Sequence, residues 1–363
     1  MRLLFVIKSL GPGGAERVLS ILTAELAERG HQVDLASFDE PGWTDFYHFD
    51  SRIVRHRLGV GEVARSSSPI DLLRQAITLR RLLQRQSPEV AIGFMHSAFV
   101  PLGVAAVGTG IPVIASEHTA YDHYRSLGSQ AALVRATAPL FAAFTATSNP
   151  VRAGFPRSIR DRMSVIANPV VFSGKGRKTS RSVGHVLLSV GVLRPEKRHD
   201  ILIAAFARLA DRFPDWTLRI VGDGPRRREL ERQVEEAKLE GRVAFAGAVP
   251  DVAPEYAVGD LFAIPSSYES FGLATAEALA AGVPAVGFAD CPGTNEIIHD
   301  GVNGLLMSGA DRVEALAQGL ATLMSDEERR AGLGSAGPAS VAKYSVESVA
   351  DQWAELLRSA ASS

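Results

Sequence analysis

The chain has 363 residues, 46% of them hydrophobic and 22% charged, with a formal net charge of −1. That is long enough for two domains of ordinary size, and the balance excludes a disordered or nucleic-acid-coating protein. The single cysteine, Cys291, excludes an internal disulfide and a cysteine-based zinc site, and makes a reducing compartment the simplest inference.

Residues 2–7 form an apolar run that reads as a strand. Only about five apolar residues precede Lys8, too few for a signal-peptide core. Gly11-Pro12-Gly13-Gly14 follows, then a helical pattern from Ala15 to Arg29 and a strand at Val33 to Ser37. This is a βαβ opening with a glycine-rich first turn, of the kind that lets backbone approach a ligand's phosphates. Counting from Gly11, the register gives Gly11, Gly13 and then Glu16, so the third glycine of a dinucleotide fingerprint is missing.

Residues 69–86 read as a basic amphipathic helix, with leucines on one side and Arg74, Arg80, Arg81 and Arg85 among the polar positions. Two readings stay open: a solvated face on a helix packed through its leucines, or arginines Arg74, Arg81 and Arg85 meeting anionic lipid headgroups or a lipid-linked diphosphate acceptor. The longest uncharged stretch, Phe99 to Ser116, is broken by Pro101, Gly103, Gly108, Gly110 and Pro112. It reads as a helix, a turn and a strand, and no membrane-spanning segment is expected. His118 ends that strand, a favourable place for function in an open α/β sheet, with a polar aromatic loop of Tyr121, His123, Tyr124 and Arg125 after it.

Residues 173–182 are polar, basic and aperiodic, and read as a linker. The chain up to Val170 carries 18 Lys and Arg against 14 Asp and Glu, so the first half is mildly basic and the second acidic. Beyond the linker, Val186 to Val190 runs into a turn that holds Arg194 and Lys197, and Leu218 to Val221 into Gly222-Asp223-Gly224-Pro225. The strand Val243 to Phe245 leads towards Val249.

Residues 260–283 carry the strongest local signal. A buried strand (Leu261 to Ile264) stops at Pro265, a polar loop carries Glu269, and an alanine-rich helix from Gly272 to Ala281 carries Glu277. A helix N-terminus leaves amides unpaired and partly positive, so the backbone N–H groups of Phe271, Gly272 and Leu273 form a candidate anion cradle. Glu269 and Glu277 flank it, as suits a ligand with a diphosphate in the middle and sugars at each side. The plainer alternative is a solvated loop charge at Glu269 and a surface residue at Glu277.

The run Glu-Ser-Phe-Gly-Leu…Glu-Ala-Leu-Ala-Ala-Gly-Val-Pro-Ala-Val, with Gly293-Thr294-Asn295-Glu296 and Asp300-Gly301-Val302-Asn303-Gly304 after it, closely resembles the donor-site segment of the retaining, family-four glycosyltransferases of GT-B fold. Gly-Pro-Gly-Gly-Ala-Glu-Arg resembles the N-terminal loop of that family, and Ser116-Glu117-His118 its histidine motif.

The resemblance implies an α/β fold of two Rossmann-like domains facing across a cleft. Residues 1–170 would bind the acceptor and 183–340 the nucleotide sugar, with 171–182 as linker and 341–363 as a helix packing back on the first domain. It implies that Lys197, with Arg194, neutralises the donor diphosphate, that Glu277 holds the ribose hydroxyls and that Val249 lies beside the base. Gly14, Phe271, Gly272 and Leu273 would contact the donor; Glu269 would orient its sugar, and His118 would bond a hydroxyl near the reacting carbon. Val192 stands where the family usually has its arginine, and Pro169 where it usually has glycine. No metal and no cofactor beyond the nucleotide-sugar substrate is expected, and UDP is preferred over GDP. The expected acceptor is a polyprenyl-diphosphate-linked glycan or exopolysaccharide intermediate, which places the protein in the cytoplasm, peripheral at the inner face of the membrane, with no nucleic-acid partner. Alternatives are a sugar-nucleotide 2-epimerase of similar fold, a nucleotide-dependent oxidoreductase, and a catalytically silent membrane-associated partner subunit.

Overall fold

In the computed structural model, residues 1–60, 68–119, 129–172 and 184–362 are described. They divide into two compact units, Met1–Pro169 with Val346–Ser363, and Val170–Ser345. The first is built on a seven-stranded sheet, β1 (Arg2–Ile7), β2 (Gln32–Ser37), β3 (Val54–Arg57), β4 (Val90–Phe94), β5 (Val113–Glu117), β6 (Ala143–Ala146) and β7 (Met163–Val165). All of its pairings are parallel, in the order β3-β2-β1-β4-β5-β6-β7.

The second unit holds β8 (His185–Val190), β9 (Trp216–Val221), β10 (Val243–Gly247), β11 (Leu261–Ile264), β12 (Ala285–Phe288) and β13 (Gly304–Met307), again all parallel, in the order β10-β9-β8-β11-β12-β13. Strands such as β1, β4 and β11 are continuous apolar runs because both faces of a parallel sheet are covered by helices. Each order reverses once, between β1 and β4 and between β8 and β11. Such a reversal opens a crevice at the carboxyl ends of the strands, where α/β sheets bind ligands.

Helices form where the sequence places their signals. Residues Pro69–Gln86 are a helix with Ser68 accepting from the Asp71 amide in a capping box. The helix Glu327–Val341 carries Gly332, Gly334, Gly337 and Pro338, residues that read locally as breakers. A side chain at Gly334 would collide with the Gly282 carbonyl, and one at Gly337 with the Leu279 carbonyl. The glycines therefore let this helix pack closely on Leu273–Ala280. The last helix, Val346–Ala361, is part of the first unit, where Arg29 bonds Asp351 (2.6 Å) and the Glu347 carbonyl (3.0 Å).

Candidate functional site

In the second unit, the turns after β8 and β11 lie side by side at the switch point. The Ser267 amide donates to the Glu196 carbonyl (2.9 Å), and this ties the two turns together. The short helical turn Pro195–Lys197 then brings Lys197 Nζ to 2.6 and 2.7 Å from the two carboxylate oxygens of Glu269. Ser266 Oγ donates to Glu269 Oε1 at 2.7 Å. Glu269 is only 8% exposed, so it is not a solvated loop charge. A charge that deep persists because it is paired and hydrogen-bonded on the same oxygens.

Behind Glu269 the backbone is pinned. Its amide donates to the Pro292 carbonyl (3.1 Å), and Gly293, at φ +80°, passes so close to the Glu269 carbonyl that a side chain there would collide with it. Gly272, at φ +90°, caps the Leu273–Ala280 helix with no side-chain partner. That leaves the amides at this end without intrahelical acceptors. Phe271 contributes backbone alone, since its ring is buried edge-on against Tyr344 at 5.0 Å, while Leu273 is half-buried.

Glu277 lies inside this helix, 5% exposed, and accepts from the buried Tyr256 hydroxyl at 2.9 Å. It is a buried, oriented carboxylate and not a surface residue. Arg194 is exposed and, among the described residues, has no ion pair. Its neighbour Arg198 bonds Asp200, which also accepts from Arg226 at 3.0 Å. Val249 is half-buried beyond β10, and Val192 half-buried in the β8 turn. His199 is buried beside this turn, and burial, then the Lys197 charge, holds its pKa down at about 4.

In the first unit, Gly14 is the first residue of the helix Gly14–Glu28, exposed, with open space where a side chain would go. Packing does not demand glycine there. The preceding loop is anchored by Asp39, fully buried, whose carboxylate accepts from Ser9 Oγ (2.7 Å) and the Leu10 amide (2.8 Å).

His118 follows β5. The Glu117 carboxylate accepts from the amides of His118 and Thr119, both at 2.9 Å, and fixes the turn. The imidazole Nε2 lies 3.1 Å from Ser116 Oγ, which accepts from Thr145 Oγ1 at 2.9 Å. Nδ1 is shut off from solvent and unpartnered. Burial lowers the pKa to about 4, so the ring is neutral at pH 7. It stacks on Phe94, with centroids 4.7 Å apart. Arg74, Arg81 and Arg85 are exposed along Pro69–Gln86, whereas Arg80 turns inward to the carbonyls of Ala105 and Val107. The loop of Tyr121, His123, Tyr124 and Arg125, and the linker from residue 173 on, lie outside the described residues.

In the second unit Lys197, Glu269, Gly272 and Glu277 follow β8 and β11, the strands that flank the reversal; in the first, Gly14 follows β1, which flanks it, and His118 follows β5, one strand farther on. Sequence reasoning missed Ser266, Tyr256, Asp39 and Phe94. Ser266 had a signal, a hydroxyl at a strand's end three residues before Glu269; the others act across gaps that no local pattern reveals.

Comparison with known proteins follows this division. Residues 12–173 match the family model of Glycosyltransferase Family 4, and residues 176–340 that of Glycosyl transferases group 1. An uncharacterized glycosyltransferase of Haemophilus influenzae is 24% identical, over 97% of this chain and 99% of that protein. The GalNAc-alpha-(1->4)-GalNAc-alpha-(1->3)-diNAcBac-PP-undecaprenol alpha-1,4-N-acetyl-D-galactosaminyltransferase of Campylobacter jejuni is 25% identical, over 98% of each. Among solved structures, Anabaena Alr3699/HepE in complex with UDP and glucose superposes with a TM-score of 0.80, at 23% identity over 98% of this chain and 99% of that one.

Proposed function

The chain belongs to the glycosyltransferases that join a Family 4 domain to a group 1 domain in the GT-B fold, and from that premise we propose its donor, acceptor and mechanism. The donor is a nucleotide sugar, UDP-linked, carrying a hexose or N-acetylhexosamine. The acceptor is a polyprenyl-diphosphate-linked glycan or exopolysaccharide intermediate, and the anomeric configuration is retained. The observation that carries this reading is the Lys197–Glu269 pair at the second unit's switch point, beside the uncapped end of the Leu273–Ala280 helix.

A diphosphate at that end meets helix amides and the Lys197 ammonium, which stabilise the charge that develops as the nucleotide departs. Arg194, exposed and without an ion pair among the described residues, adds to it. These groups supply the positive charge from the chain itself, so donor binding is expected without a metal ion. Taking Lys197 onto phosphate releases Glu269 for hydroxyls of the sugar, while Glu277, aimed by Tyr256, holds the ribose and Val249 borders the base. In the first unit, His118 is neutral at pH 7 and bonds a sugar hydroxyl, and Gly14 leaves the start of its helix open to a ligand. The departing phosphate accepts the acceptor's proton, so no side-chain base is required.

The UDP-bound neighbour and the undecaprenol-linked substrate in the Campylobacter relative's name support this choice of donor and acceptor. The basic face of Pro69–Gln86 supports peripheral attachment to the inner face of the cell membrane. Among the described residues no helix is long and apolar enough to cross one.

Isothermal titration with UDP, GDP and NAD, first without metal and then with magnesium, tests the donor. Metal-independent binding of UDP is expected. Binding of NAD alone, or of none of the three, would overturn the reading, and product analysis with a lipid-linked acceptor separates transfer from epimerisation.

A further inference from the structure

We propose that Trp353, on the last helix of the chain, is a positioning residue for His118 and acts through Phe94; this rests on the reading of His118 as a site residue. Phe94 ends β4 at the first unit's switch point and is fully buried. Its ring stacks on His118 (4.7 Å, 23° between planes) and on Trp353 (6.1 Å, 15°). Trp353 is 3% exposed.

Three features make this stack the device that sets the imidazole's angle. First, hydrogen bonding alone does not set it, because only Nε2 has a partner, Ser116 Oγ, and Nδ1 has none. A ring held at one corner can tilt about that bond, whereas a parallel neighbour at stacking distance restrains the plane. Second, the corner beside Phe94 is held under strain. Met95 has φ +67° and ψ 155°, a conformation that only glycine adopts readily, and its amide donates to the Ser116 carbonyl at 2.8 Å. Such a corner persists only when its surroundings impose it. Third, the helix that carries Trp353 is tied down by Arg29, which bonds Asp351 and the Glu347 carbonyl. Arg29 directly follows the helix that Gly14 begins. Residues from the two ends of the chain thus brace the predicted acceptor side.

The test uses the full-length protein labelled with ¹³C-histidine. The His118 Cε1–H signal is assigned by its loss in His118→Ala. In Trp353→Leu it is expected to shift as Phe94 loses its backing and moves against the imidazole, with the His199 signal unmoved; Trp353→Phe keeps most of the stack and should lie between. In parallel, UDP release is measured from whichever of UDP-glucose, UDP-galactose, UDP-GlcNAc and UDP-GalNAc the wild type turns over. Trp353→Leu is expected to lower kcat roughly tenfold or more, with donor KM little changed, since misplacing a reacting group by about 1 Å can cost up to a hundredfold. In the His118→Ala background the same change should cost almost nothing more.

An unmoved His118 signal, or equal losses in both backgrounds, would overturn the proposal. If Trp353→Leu does not fold, Trp353→Phe decides by the same readouts. A wild type that releases UDP from none of the four sugars would count against the proposed donor, and the histidine signals would still decide the role of Trp353.

Discussion

Lys197 Nζ bonds both carboxylate oxygens of Glu269, at 2.6 and 2.7 Å, across 72 residues of sequence. The two groups proposed to hold opposite parts of the donor are therefore partners of each other. Their contact holds the Glu269 carboxylate in place, and a diphosphate is what would draw Lys197 away.

This pair separates stability from function. Lys197→Met leaves Glu269 buried and unpaired, and is expected to cost roughly 1–3 kcal/mol, less than a fully buried pair because Lys197 keeps a quarter of its exposure. Glu269→Gln added to it should restore much of that stability, since no charge is then left alone. Turnover should fall by about two orders of magnitude or more in both variants, because removing one preorganised charge-stabilising group costs that much. Urea denaturation and initial rates check it; turnover that recovers with stability would contradict the assignment.

The histidines make stability pH-dependent. His118 and His199 are each held at about 4 against an ordinary 6.5 by burial. Between those values the unfolded chain binds protons that the folded chain refuses, so stability is complete above about 6.5 and lost as pH falls towards 4. Each should account for up to about 2 kcal/mol between pH 7 and pH 5. Urea midpoints at the two pH values measure the sum, and His199→Phe should remove about half of the difference.

Tyr256 aims Glu277. Tyr256→Phe removes one hydrogen bond to a buried carboxylate and should cost about 1–3 kcal/mol of stability. Nucleotide affinity should weaken several-fold in Tyr256→Phe and further in Glu277→Ala. Titration with UDP gives both numbers, and unchanged affinity in Glu277→Ala would remove Glu277 from the donor site.

The exposed arginines of Pro69–Gln86 share that side of the helix with Ile70 and Leu73, which are 63% and 61% exposed. Replacing Arg74, Arg81 and Arg85 with Ser should abolish most sedimentation with phosphatidylglycerol vesicles, as each basic residue near an anionic surface is worth about 1 kcal/mol. Activity on a lipid-linked acceptor should fall more than on a water-soluble analogue. Equal effects would mean that the face is merely solvated.

The sequence by itself determined what is local. Apolar runs, the Gly11–Gly14 turn, the helical pattern of residues 69–86 and the strand–loop–helix around Glu269 each lie within one short window, and short-range backbone chemistry is sufficient to write them. The order of two βα-rich halves followed, and with it the strand ends after which His118, Lys197 and Glu269 fall. Tertiary structure alone decided which charges meet. Lys197 and Glu269, Tyr256 and Glu277, and Phe94 and Trp353 are brought together by strand order and helix packing, which no periodicity encodes. It also decided that Gly334 and Gly337 serve close packing and do not end a helix, because a missing side chain means one thing beside water and another against a neighbouring carbonyl.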